Sequence, residues 1–168
     1  VPVNKKEAAK YYKMAYEKGD EGGMFSYAKL LYKGEGVPAN KEEAIKLFKI
    51  AIEKHNSVNA MLIYGCLLVN EDDPEKKKEG LKYVKQAADL GYLEAVHVYA
   101  KLLNENNENQ EVIAKLYQEG SDRNDPESLY NYGGMLYNGK GVEVDKKKAF
   151  LFFQRAADLG HLDSLKLS

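Results

Sequence analysis

The sequence predicts an all-α fold assembled as a linear array of helix pairs, and three observations predict it. First, one block recurs at a spacing of about 35 residues: "YAKLLYKGEGV" begins at Tyr27, "YGCLLVNEDDP" at Tyr64, "YAKLLNENNEN" at Tyr99 and "YGGMLYNGKGV" at Tyr132. Second, a companion block recurs with it, as "EAAKYYKMAYEKGD" (7–20), "EAIKLFKIAIEKHN" (43–56), "EGLKYVKQAADLGY" (79–92) and "KAFLFFQRAADLGH" (148–161). Third, the apolar residues inside these blocks follow helical spacing. Ala44, Leu47, Phe48, Ala51 and Ile52 fall on one i, i+3, i+4, i+7 stripe.

Residues 1–20 read as the second helix of an incomplete unit. Asn4 stands at the N-cap of a helix over 5–18, Glu7 lies three residues on, and Gly19 marks the stop. In the repeat 21–56, a first helix over 23–33 runs into Gly34-Glu35-Gly36-Val37, and Asn40 with Glu43 opens a second helix over 41–54. The repeat 57–92 has its first helix over 60–69 and then "VNEDDPE" (69–75), which lacks both turn glycines. Asp73-Pro74 supplies a cap with proline in the first helical position, and the helix that follows over 75–90 stops at Gly91.

The repeat 93–125 departs furthest from the pattern. Its first helix spans 95–104, "NENNENQE" (104–111) replaces the turn, and Glu119 and Gly120 stand where other units carry Ala-Ala or Ala-Ile. A short and loosely packed second helix over 110–120 is expected, because glycine inside a helix costs about 0.5–1 kcal/mol relative to alanine. The repeat 126–161 is regular, with helices over 128–138 and 146–159, a Gly139-Lys140-Gly141-Val142 turn, Asp145 as cap and Gly160 as stop. Residues 162–168 begin a further unit.

The Gly-Lys-Gly of the last turn, followed by lysines at 146–148, raises the question of a phosphate cradle. The earlier copy argues against it, because Glu35 stands where the later copy has Lys140. A cradle would not exchange its cation for a carboxylate, and neither copy completes a nucleotide-binding pattern after a predicted strand. The shared Gly-x-Gly-Val is therefore a structural turn, and the lysines are the solvated first turn of a helix.

Composition narrows the function classes. With 25 basic and 26 acidic residues the net charge is -1, which gives no overall attraction to nucleic acid or anionic lipid. The longest uncharged apolar stretch, "AMLIYGCLLV" (60–69), is half a membrane span, so no membrane insertion is expected. Cys66 is the single cysteine and sits in an apolar context, as a small core residue would. His55, His97 and His161 are too dispersed for a local metal motif, and no nucleophile elbow occurs. We expect no catalytic residues, no metal and no cofactor.

The repeating unit has the pattern small-x-x-x-(Leu/Tyr)-(Gly/Ala)-x-x-(Leu/Tyr)-x-x-Gly-x-Gly-Val, then Asp or Asn, then Ala-x-x-aromatic or aliphatic and Ala-Ala-x-x-Gly. It resembles the Sel-one-like repeat family, relatives of the tetratricopeptide repeats, and residues 126–161 are the best copy. The resemblance implies a right-handed superhelical α/α solenoid of about four helix-pair repeats, with partial units at both ends. The first helix of each pair would line a concave groove. It also implies a role in protein–protein interaction, since family members organise complexes in signalling, quality control and host–microbe contact.

Core packing accounts for Tyr27, Leu31 and Ala51 but leaves a second stripe on the first helices. This stripe comprises Phe25, Lys29 and Tyr32; Leu62, Cys66 and Val69; His97, Lys101 and Asn104; and Tyr130, Gly134 and Tyr137. If it faces the groove, Phe25, Lys29, Tyr32, Leu62, Val69, His97, Lys101, Tyr130 and Tyr137 form a binding face for an extended or helical peptide. The alternative assignment packs these residues against adjacent helices, and the two stand equal at this point. A third reading, a helical repeat for single-stranded nucleic acid, would stack bases on the aromatics and set Lys29 and Lys101 against phosphates. The near-neutral charge disfavours it.

Secreted relatives can staple each repeat with a cysteine pair. One cysteine therefore points to a reducing, cytoplasmic location. The chain starts at Val1 and stops at "HLDSLKLS" just as an apolar pattern begins, so we expect a piece of a longer array. The expected state is a monomer, with end-to-end contacts where truncated repeats expose a face.

Overall fold

The computed structural model describes residues 4–105 and 109–161. Over these residues the chain is all-α, with no strand. Its helices are α1 (Lys5–Glu17), α2 (Glu21–Lys33), α3 (Lys41–His55), α4 (Val58–Val69), α5 (Pro74–Asp89), α6 (Leu93–Glu105), α7 (Gln110–Asp122), α8 (Pro126–Asn138) and α9 (Lys146–Asp158). The predicted beginning of a further unit at 162–168 lies outside the described residues.

Local chemistry sets these boundaries. The side chains of Asn4, Asn40 and Asp145 accept hydrogen bonds from the amides of Glu7, Glu43 and Lys148, and Asp73 accepts from Glu75. The reciprocal half of the expected capping box is replaced at Asn40, whose own amide donates to the Leu31 carbonyl across the turn. Each second helix is followed by a left-handed residue. Glycine fills that place at 19, 91 and 160, and Asn56 and Asn124 fill it after α3 and α7, with φ of 49° and 57°.

The Gly-x-Gly turns are structural. Gly34 and Gly139 are left-handed caps whose amides donate to the Leu30 and Met135 carbonyls, and the next amides, of Glu35 and Lys140, donate to the same two carbonyls. Those donors are thus consumed by the helix end rather than offered to an anion. The second glycine is required twice over. Gly36 and Gly141 have φ of 76° and 67°, and a methyl group on either would collide with the carbonyl oxygen of Lys5 or Gln110 on the preceding second helix.

The chain divides into two compact units, Val1–Leu90 and Gly91–Ser168. In the first, α1 to α5 pack each on the next, and α2 also reaches α4. Leu47, Phe48, Tyr64 and Leu68 form its centre, with the Phe48 and Tyr64 rings stacked at 5.0 Å. Burying a side chain the size of Phe48 contributes about 2–3 kcal/mol. The Tyr64 hydroxyl is pushed up to about 12, first by burial and then by the nearby Glu79.

In the second unit α6 packs on α7, α7 on α8 and α8 on α9, around Ile113, Leu129, Tyr132 and Ala149. The expectation of a short, loose α7 is overturned. The helix runs 13 residues, as long as α9. Gly120 is buried against Ser128 of α8, and a methyl group there would collide with the Ser128 side chain. The glycine is thus a point of close approach between two helices, rather than a defect in one of them.

Candidate binding grooves

In the second unit a groove of about 390 Å³ opens between α6, α7 and α8. His97, Val98, Lys101 and Asn104 line it from α6, Ile113 and Tyr117 from α7, and Glu127, Asn131 and Met135 from α8, with Lys140 from the turn beyond. The α6 stripe read from the sequence, at 97, 101 and 104, is therefore one wall of this groove. The facing wall was missed, because Glu127, Asn131 and Met135 occupy the flank of α8 next to its own stripe. Only fold geometry brings that flank opposite α6.

His97 ties the walls together. Its Nε2 lies 2.7 Å from Asp125 Oδ2 and 3.3 Å from Ser128 Oγ, and its Nδ1 lies 3.1 Å from Glu127 Oε2. Burial works to raise the Asp125 carboxyl, but hydrogen bonds from Ser128 and His97 outweigh it and hold the group below its usual range. Asp125 also accepts the Ser128 amide at 2.8 Å, so it caps α8 and anchors His97 at once. Serine, histidine and two carboxylates together suggest a nucleophile relay, but Ser128 is fully buried and the Asp125 carboxylate is the nearer partner of Nε2. Its hydroxyl has no access to a substrate carbonyl, so the cluster is a helix-to-helix latch.

The α8 stripe at 130, 134 and 137 lines a second groove, of about 410 Å³, together with Asn131, Phe150 and Phe153. The Tyr130 ring lies 4.5 Å from His161 and 5.6 Å from Phe153. Tyr137 is 41% exposed, meets Phe150 edge-on at 6.3 Å, and carries the Lys146 ammonium 5.1 Å above its ring. One of the lysines read as solvated therefore touches an aromatic face.

The same stripe is largely absorbed by packing in the first unit. Tyr32 and Leu62 are each 7% exposed, Phe25 packs on the core from its edge, Val69 is half-buried, and Lys29 projects to solvent. The Tyr32 hydroxyl donates to Glu71 at 2.5 Å. Lys41 reaches the same carboxylate oxygen at 2.9 Å and stands 4.9 Å over the Tyr32 ring. Tyr32 and Leu62 thus offer little surface to a ligand, because the first unit turns this face inward.

No three His, Cys, Asp or Glu side chains among the described residues are grouped to hold a metal ion. None of the described helices is long and apolar enough to cross a membrane.

The Sel1 repeat family model matches residues 1–20, 22–56, 59–92 and 126–161. These stretches leave out the third unit, 93–125. No curated protein matches the chain. Among solved structures, a Sel1 repeat protein from Oxalobacter formigenes is 23% identical with a TM-score of 0.70, covering 98% of this chain and 66% of its own. The c5321 protein, a protective antigen of uropathogenic Escherichia coli with an SLR fold, is 20% identical with a TM-score of 0.75, covering 98% of this chain and 36% of its own. The Helicobacter pylori cysteine-rich protein B is 22% identical with a TM-score of 0.54 over 76% of this chain and 93% of its own. The chain therefore spans less than two thirds of the first two of these proteins. At such identities the likeness shows the fold, an α/α solenoid. With the family model matched over well more than half of its length, the chain belongs to the Sel1 repeat family, whose members are generally non-catalytic scaffolds for protein interaction.

Proposed function

We propose that the protein is a non-enzymatic adaptor that holds a segment of a protein partner along its first helices. The observation that carries this reading is the groove between α6, α7 and α8. It has aliphatic and aromatic side chains at its floor and carboxamides and charges at its rim. Such a mixture suits an extended chain, whose side chains need apolar contact and whose backbone needs hydrogen-bond partners. The aromatic groove beside α8 extends the same kind of surface.

A photo-crosslinking amino acid placed at Asn131, in the groove, and separately at Lys82, on the exposed face of α5, tests the proposal in cell extract. The expected result is a discrete protein adduct from position 131 that is missing from position 82 and persists at high salt. Equal adducts from both positions would move the interaction off the groove. Nucleic-acid adducts that vanish with salt would favour the base-stacking reading.

A further inference from the structure

Two turns of the chain are built alike and carry opposite charge. Gly36 closes on the carbonyl of Lys5, and Gly141 closes on the carbonyl of Gln110, so Lys5 and Gln110 are structural equivalents, as are Glu35 and Lys140. In the first turn the tip charge is satisfied within the protein, by a Lys5–Glu35 ion pair at 3.3 Å. In the second turn both partners have changed. Gln110 donates to Asn104 Oδ1 at 3.2 Å, and the Lys140 ammonium has no hydrogen-bond or ion-pair partner among the described residues.

Lys140 lines the α6–α7–α8 groove, and so does Lys101, whose ammonium is likewise without a partner among the described residues. Among the described residues the one carboxylate lining the groove, Glu127, is engaged by His97 near the start of α8. The groove thus has a self-neutralised pair at His97 and Glu127 and two further cations, Lys101 one helical turn on along α6 and Lys140 past the end of α8. Asn131, one turn beyond Glu127 on α8, offers a carboxamide that can both donate to and accept from a peptide backbone.

We propose that this groove takes an acidic stretch of an extended peptide, with Asp or Glu side chains paired to Lys101 and to Lys140. The proposal rests on the adaptor reading and adds the chemistry of the partner. A peptide fits better than a nucleic acid for two reasons. Two ammonium groups with Glu127 in the same groove do not make the basic stripe that successive phosphates need. The floor, with Ile113 and Met135, also lacks a ladder of flat rings for base stacking.

The test immobilises the whole chain and offers two heptapeptide pools, random except for a central Glu in one and a central Gln in the other, alongside a labelled oligo-dT of fifteen nucleotides. Retention is compared for the wild type, for K101Q/K140E, and for K147E, which changes an exposed lysine of α9 outside the groove. The wild type and K147E are expected to retain the Glu pool about fivefold better than the Gln pool at low salt, and K101Q/K140E to retain the two equally. Circular dichroism checks that the variants, both altered only at exposed positions, keep their helices. Equal retention of both pools by the wild type would overturn the acid preference and leave the adaptor reading standing. A Glu preference that survives in K101Q/K140E would overturn the assignment to this groove. Retention of neither pool would overturn the proposal and the adaptor reading together, and oligo-dT held through the same two lysines would replace the peptide with nucleic acid.

Discussion

Glu71 takes a hydrogen bond from Tyr32 and one from Lys41, and Lys76 stands 3.9 Å away. The bond from Tyr32, then that from Lys41, holds its carboxyl below the ordinary value of 4.5. The unfolded chain therefore binds this proton at a higher pH than the folded one does. The resulting stabilisation is fully present above the ordinary value and is lost as pH falls through the lower folded value. Replacing Glu71 with Gln should lower the melting temperature at pH 7, and the gap to the wild type should narrow as pH falls below the ordinary carboxyl value in a thermal scan over pH. A gap that stays constant with pH would show that the carboxylate's charge is immaterial. Nothing in the sequence pointed to this contact. The helical spacing left Tyr32 open between groove and core, and its partner lies 39 residues away in a loop that follows no motif. The sequence resolves which residues share a face; which loop side chain covers that face is decided by packing.

Among the elements, helix ends were legible because caps act within three or four residues. Asn4, Asn40, Asp73 and Asp145 all cap where their sequence context places them. Gly120 was misread for the opposite reason, since its role depends on α8, a different helix. The two readings predict opposite signs. Were Gly120 only a weak helix former, alanine would stabilise the unit by up to about 1 kcal/mol. With Ser128 in the way, G120A should instead destabilise it by about 1–3 kcal/mol, measurable as a shifted urea midpoint with unchanged slope. The groove was legible to the same extent. The α6 wall followed from periodicity, whereas the α8 wall and Lys140 required the helices to be set side by side.

On the scale of the whole molecule, each compact unit contains its own buried centre. Helical arrays draw their stability from repeats and the interfaces between neighbours. Residues 1–90 expressed alone should therefore keep a helical far-ultraviolet spectrum and a cooperative thermal transition. A featureless spectrum would show that this unit depends on the rest of the chain. A last consequence follows from the Gly-x-Gly turns. Their two glycines carry the geometric burden, and the residue between them lends the helix end only its backbone amide, so the turn does not dictate its side chain. Nature has written Glu at that place in one rung and Lys in another, over the same backbone. Each Gly-x-Gly rung thus has a socket into which a different address can be plugged, and a family of arrays could change its clientele at those rungs while its scaffold stays still.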